Sequence, residues 1–294
     1  MKEKPLVVFT LLAQAAAGAF WAWSMVSLYL ASQLGSQGAQ LTGRTLLAIG
    51  PLMAAAMLAS LFHLGRPWRA LYALSNLRSS WLSREILCAG LFTLGGAVFA
   101  GLGWFQPGPS LLRDVLAGLV MALGAALVYS MARVYRLRSV PAWDSSLTTL
   151  SFFVTALLLG CLGVGAGLGL EVALFAAGGA GDGGLRTALS GLALAAVLLA
   201  ALQYLLLPLG LAWMASGPPA AEAAARRIGG VFGWMLSLRL VLGFIGAAAA
   251  GLLLLPWGNQ WLWGGIAAAA FAILLAAETL GRILFYEAGT RSGV

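Results

Sequence analysis

The chain has 294 residues, 61% hydrophobic and only 9% charged, where an ordinary soluble domain is roughly 45–50% apolar and ~25% charged. That excludes a soluble globular protein, and the net charge of +8 does not point to nucleic acid, because the arginines are spread over short connections between apolar stretches. Apolar runs of about twenty residues recur throughout, each able to cross a hydrocarbon core ~30 Å thick, and none alternates as barrel strands do. The sequence predicts an all-α integral membrane protein: a bundle of eight transmembrane helices in a single domain over residues 1–294.

The start, MKEKPLVVF, is basic but carries no small-residue cleavage site before the apolar run continues to Leu30, so it reads as a retained first span. Pro5 opens that span, where a missing N–H costs nothing, and Gln14 is a polar side chain inside it. The spans are expected at residues 5–31, 42–62, 83–105, 111–135, 145–170, 185–214, 231–255 and 261–285. Pro51 and Pro208 fall within spans and can kink them. Gly95, Gly96 and Gly101 in the third span, and Gly163, Gly165, Gly167 and Gly169 in the fifth, are small residues of the kind that let helices approach closely. The glycine-rich stretch 178–184 lacks the Lys and Ser/Thr of a phosphate-binding loop and reads as a flexible connector. Trp257, Trp261 and Trp263 read as interfacial aromatics around the last connection.

Alternating the spans sorts the basic residues unequally. The first side receives Lys2, Lys4, Arg66, Arg69, Arg78, Arg84, Arg133, Arg136, Arg138, Arg226, Arg227, Arg282 and Arg291; the second receives only Arg44, Arg113 and Arg186. By the positive-inside rule the first side, with both termini, is cytoplasmic.

The densest polar stretch is residues 61–87, which contains the only histidine, His63, together with Arg66, Arg69, Arg78, Arg84 and Glu85. His63 closes the second span and Glu85 opens the third, so antiparallel neighbours bring both to the same side; His63 could equally cap helix-end carbonyls. The connection between them is about twenty residues, where 2–8 suffice to join helices in a bundle, and such length goes with a functional or docking surface. Deeper charges are Arg239 in the seventh span and Glu278 in the eighth. They either form an ion pair that holds two helices or, with Gln14, line a polar cavity or proton path. One histidine cannot supply the axial pair of a transmembrane b-type haem, and no metal set is evident. Cys88 and Cys161, each alone in an apolar run, read as packing residues.

Three separated motifs carry a family resemblance across nearly the whole sequence. FHLGRPWRALYALSNLRSSWLSREI, residues 62–86, resembles the signature of the membrane-anchor subunit family of bacterial dimethyl sulfoxide reductase, in which one helix ends in H-L-G-x-P-x-R-A and the next begins S-x-E-I. Residues 132–160 hold the family's R-V-Y, V-P-x-W and F-F-x-T, and residues 277–286 its E-x-x-G-R-x-x-F-Y ending. Gln14 and Arg239 also fall where family matches are expected. The resemblance implies an eight-helix, haem-free, multi-pass subunit of the bacterial inner membrane. It would be non-catalytic itself but would oxidise menaquinol and pass electrons to an iron–sulfur subunit that serves a molybdopterin catalytic subunit. It assigns quinol binding to His63 and Glu85. The cluster Arg66, Arg69, Arg78, Arg136 and Arg138 is then the expected docking face for the iron–sulfur subunit. A secondary transporter or channel is the competing class, but no half-to-half repeat supports it. An enzyme acting on lipid would need a catalytic set that one histidine and no nucleophile motif do not provide.

Overall fold

A computed structural model describes residues 4–62, 72, 74–105, 111–175, 182–255 and 260–289. Among them are nine α-helices: α1 (Lys4–Leu34), α2 (Ser36–Phe62), α3 (Trp81–Phe105), α4 (Leu111–Tyr135), α5 (Ser146–Phe175), α6 (Asp182–Ala215), α7 (Pro219–Gly229), α8 (Gly233–Leu252) and α9 (Gln260–Gly289), with one 3-10 turn at Leu74–Asn76. Seven of them, α1, α3, α4, α5, α6, α8 and α9, are long and apolar enough to cross a membrane. The remaining expected span, the second at residues 42–62, corresponds to α2, whose apolar part is only Thr45–Ala59, about 22 Å of helix. Its opening residues, SQGAQLTGR, are polar, and so the helix is longer than its apolar stretch.

Elsewhere the helices overrun the expected loops. Residues 32–41, expected as a connection, are helix apart from Gly35, whose positive φ of 55° turns the backbone from α1 directly into α2. Asp182, Gly183 and Gly184, expected in a connector, form the first turn of α6, while residues 176–181 lie outside the described set. Pro51 and Pro208 sit inside α2 and α6. The short α7 has no counterpart among the sequence-based expectations. Pro219 starts it, Ala221, Ala224 and Ile228 form its buried face, and Glu222 pairs with Arg226 on the exposed one.

Glycine decides how closely the central helices cross. A Cβ on Gly18 of α1 would lie 1.7 Å from the Ala156 carbonyl oxygen of α5, and one on Gly160 would lie 2.1 Å from the Gly18 carbonyl carbon. The two backbones therefore touch, as small residues allow where lipid supplies no hydrophobic drive between helices. The α5 glycine stripe does the same work along its length. Gly163 faces Phe271, Gly165 faces Trp263, Gly167 faces Thr45, and Gly169 meets the backbone of Gly264. Trp263 is correspondingly buried and donates to the Leu253 carbonyl, so it is a packing residue rather than the expected interfacial one; Trp261 is exposed, and Trp257 lies outside the described residues. Of the three α3 glycines singled out in the sequence, Gly95 packs against Val120, whereas Gly96 and Gly101 face open space. Across the most apolar window of each helix, 78% of α1 is buried but only 17% of α3. Cys161 is buried and Cys88 partly so, as packing residues would be.

The antiparallel order collects residues 136–145, α7 and the last turn of α9 at one end of the bundle. Trp143 donates to the Phe285 carbonyl at 2.6 Å, and Arg227 to the Glu287 carbonyl at 3.2 Å. This is the arginine-rich first side.

Candidate functional site

The motif E-T-L-G-R of α9 builds a polar centre in the first-side half of the bundle. Glu278, Gly281 and Arg282 stand three and four residues apart, hence on one helical face. Arg239 of α8 lays its guanidinium on Gly281, where an added Cβ would lie 2.5 Å from Arg239 Cζ. One guanidinium nitrogen reaches Glu278 Oε1 at 3.5 Å. The other carboxylate oxygen accepts from Thr155 of α5 at 2.6 Å and from Gln203 of α6 at 2.8 Å. The Gln203 amide also donates to Ser151 at 3.0 Å and to Thr155 at 3.1 Å. Four helices thus converge on one carboxylate. The two alternatives for Arg239 and Glu278 are not exclusive in the fold: the residues pair, and both line a cleft.

Gln14 reaches this region through Arg282. Its side-chain oxygen accepts from that residue at 2.8 Å, and the guanidinium lies 3.8 Å over the Phe152 ring. One turn on, the hydroxyls of Tyr286 and Tyr135 are 2.6 Å apart, both buried, among the rings of Trp143, Phe152 and Phe285. These aromatics belong to the R-V-Y, V-P-x-W, F-F-x-T and F-Y motifs. What looks like separate signatures in the sequence is one cluster in space.

Between α5, α6, α8 and α9 runs a cleft of about 140 Å³. Ser151, Gln203, Arg239, Glu278 and Arg282 line its deep end, and Leu206, Leu207, Leu211 and Met214 of α6 supply an apolar wall. A second cavity of about 380 Å³, between α1, α5 and α6, is lined by apolar residues such as Met25, Val26, Cys161 and Leu192.

Glu85 stands one turn inside α3, only 4% exposed, beside the buried Ser83. It lies within electrostatic range of the Tyr135 and Tyr286 hydroxyls. Next to it Trp81 carries two guanidiniums on its ring, Arg84 at 4.2 Å and Arg133 at 4.9 Å, and Arg84 also donates to the Leu77 and Arg78 carbonyls. His63, Arg66 and Arg69 lie outside the described residues. Of the remaining docking candidates, Arg78 and Arg138 are exposed, while Arg136 pairs with Asp144 at 3.6 Å. Among the described residues no group of His, Cys, Asp and Glu is arranged to hold a metal ion.

Sequence reasoning assigns no role to Ser151 or Gln203, and it includes Tyr135, Thr155, Arg282 and Tyr286 only as members of the R-V-Y, F-F-x-T and E-x-x-G-R-x-x-F-Y motifs. Gln203 was findable as the sole amide side chain in α6. The signal for the two tyrosines is their place in the R-V-Y and F-Y motifs, which does not by itself show that they meet.

A family model described as DMSO reductase anchor subunit (DmsC) matches residues 1–288. The protein belongs to that family. It is 29% identical over 295 aligned positions to the C component of the anaerobic dimethyl sulfoxide reductase of Escherichia coli strain K12, a match that takes in 97% of this sequence and 94% of that one. The C component of the same enzyme from Haemophilus influenzae is 34% identical over 161 residues, 54% of this sequence and 56% of that one, so this match spans about half of either protein. The C component of the sulfite dehydrogenase of Allochromatium vinosum is 36% identical over 123 residues, 36% of this sequence and 37% of its own. The protein is accordingly a multi-pass helical membrane anchor of the reductase anchor family, with α9's motif at the centre of a polar network shared with α5, α6 and α8.

Proposed function

We propose that this anchor oxidises menaquinol on its first side, at His63 and Glu85, and hands the electrons to a docked iron–sulfur subunit that feeds a molybdopterin catalytic subunit. The observation that carries this reading is Glu85: a carboxylate 4% exposed at the first turn of a membrane span, beyond the reach of bulk water but next to the connection that bears His63. A carboxylate is costly to keep there unless it is used. Oxidising a quinol releases two electrons and two protons. Neutral His63 can take one proton near neutral pH, and Glu85 the other. The electrons leave singly to a cluster in the partner, and no haem is needed in the anchor. Of the seven apolar spans α3 is the least covered by other helices, and in this reading the quinone tail lies along its lipid-facing side.

In this reading α2 completes an eight-span bundle in the bacterial inner membrane, with both termini and the first side in the cytoplasm. The exposed arginines Arg78 and Arg138, with Arg66, Arg69 and Arg136, form the docking face. Similarity to a component of a sulfite dehydrogenase supports placing substrate choice in the catalytic partner rather than in the anchor.

The test compares two electron donors in the assembled complex. Glu85→Gln and His63→Ala should each lower quinol-driven turnover roughly 100-fold or more, while turnover driven by a dye that reduces the soluble subunits directly stays at the wild-type level. Quinol turnover that persists in both variants would refute the assignment, and equal loss of both activities would make the residues structural.

A further inference from the structure

The charges around the cleft do not balance. Arg239 and Arg282 bring two positive charges to its deep end, and Glu278 is the one carboxylate among the described residues that lines it with them. Glu278 is already committed: one oxygen to Arg239, the other to Thr155 and Gln203. Arg282 is met by Gln14, a neutral amide oxygen. The cleft therefore holds one uncompensated positive charge within the membrane-spanning part of the bundle, where unpaired charge is strongly disfavoured.

Hydrogen bonding is also incomplete at the same point. Arg239 is only 8% exposed, its contact with Glu278 is at the outer limit of a hydrogen bond, and its Nε is buried without a partner. A guanidinium presents five donors in a planar fork suited to two oxygens of one acceptor. The space beside it is the 140 Å³ cleft, close in size to engineered cavities of ~150 Å³ that accept a single benzene ring. A tetrahedral oxyanion fits, and the leucines of α6 along the wall suit an acyl tail.

We propose that the cleft between α5, α6, α8 and α9 is a binding site for a phosphate-class oxyanion, held by Arg239 and Arg282. The source is the phosphate of an anionic phospholipid or free phosphate. Its negative charge neutralises the centre, and its oxygens satisfy the donor that the protein leaves open. The site is separate from the quinol chemistry at Glu85 and does not depend on it.

Gly281 gives the means of testing this with little change to the helices, because a methyl group there collides with the Arg239 guanidinium, a movable group, rather than with backbone. The full-length protein, purified and stripped in neutral detergent, is offered inorganic phosphate, phosphatidylglycerol or phosphatidylcholine. Thermal melting and native mass spectrometry are the readouts. The wild type should be stabilised by, and retain one equivalent of, phosphatidylglycerol in preference to phosphatidylcholine if the source is lipid; stabilisation by inorganic phosphate alone identifies the free ion. Gly281→Ala and Arg239→Gln should each weaken binding about tenfold or more, and Arg239→Lys, which keeps the charge, should weaken it less. The proposal is overturned if the wild type binds neither inorganic phosphate nor phosphatidylglycerol, or if binding is unchanged in Arg239→Gln. Because dye-driven and quinol-driven turnover are not the readout, failure here leaves the quinol assignment untouched.

Discussion

The glycines of α5 and the pair Gly96 and Gly101 of α3 sit in apolar spans of similar composition, yet the first set presses against neighbouring helices and the second faces open space. With Gly18 and Gly264, the α5 glycines draw α1, α5 and α9 into contact, and the polar network of Glu278 is assembled inside that contact. The α3 span is held mainly by α4, and it carries Glu85 at its rim. On the proposed function, the difference separates a scaffold from a working edge. One carboxylate has both oxygens engaged and fixes helices, whereas the other, only 4% exposed near the start of α3, is the one to which the proposed function assigns quinol chemistry.

Changes at the glycines should break this comparison most visibly. Gly18→Val or Gly160→Val places new atoms inside the backbone of the facing helix, and the protein should fail to accumulate in membranes, read by immunoblot of the membrane fraction. Gly96→Ala and Gly101→Ala meet nothing within 4 Å, so they should leave the protein intact and stabilise α3 by about 0.5–1 kcal/mol each. Equal tolerance in both spans would show that the close crossings do not hold the fold.

The ion pair comes next. Arg239→Met leaves Glu278 buried without its charge partner and should cost on the order of 3–5 kcal/mol, while Arg239→Met combined with Glu278→Met should recover most of that loss. Thermal denaturation in detergent measures both. A double variant no better than the single one would mean that the residues act independently. The tyrosine pair is a smaller effect of the same kind. Tyr135→Phe or Tyr286→Phe removes one buried hydroxyl from a 2.6 Å hydrogen bond and should cost about 1 kcal/mol.

Much of this arrangement is legible in the sequence, and the gaps have physical causes. Apolar run length locates seven spans, because a bilayer imposes that length directly. It misplaces the start of α2 and reads residues 32–41 as a connection, because a helix satisfies its own backbone and continues past the apolar boundary whenever no breaker stops it. Arg239 and Glu278 are conspicuous as charges among leucines, so their pairing can be anticipated. Thr155 and Gln203 become significant only when α5 and α6 are packed against α9, which hydropathy does not encode. Trp263 misleads for a related reason: a tryptophan near a helix start fits an interface, and only the glycines opposite it reveal a packing slot.

The smallest expected effect per residue concerns the docking face. Arg78 and Arg138 are exposed on the first side, while Arg136 spends part of its charge on Asp144 at 3.6 Å. Exposed ion pairs contribute roughly 0.2–1 kcal/mol each, so a single reversal should leave the soluble subunits attached. Arg78→Glu with Arg138→Glu replaces two positive charges by two negative ones and adds repulsion from an acidic partner surface to the lost attraction. The pair should release the iron–sulfur and catalytic subunits into a high-salt wash at an ionic strength where wild-type complex is retained. Arg136→Glu alone should do less, because in the free anchor it also exchanges an internal attraction to Asp144 for repulsion, a change that does not touch the partner. If the double reversal keeps full stoichiometry at every salt concentration, these arginines orient the protein in the membrane and docking lies on another part of the first side.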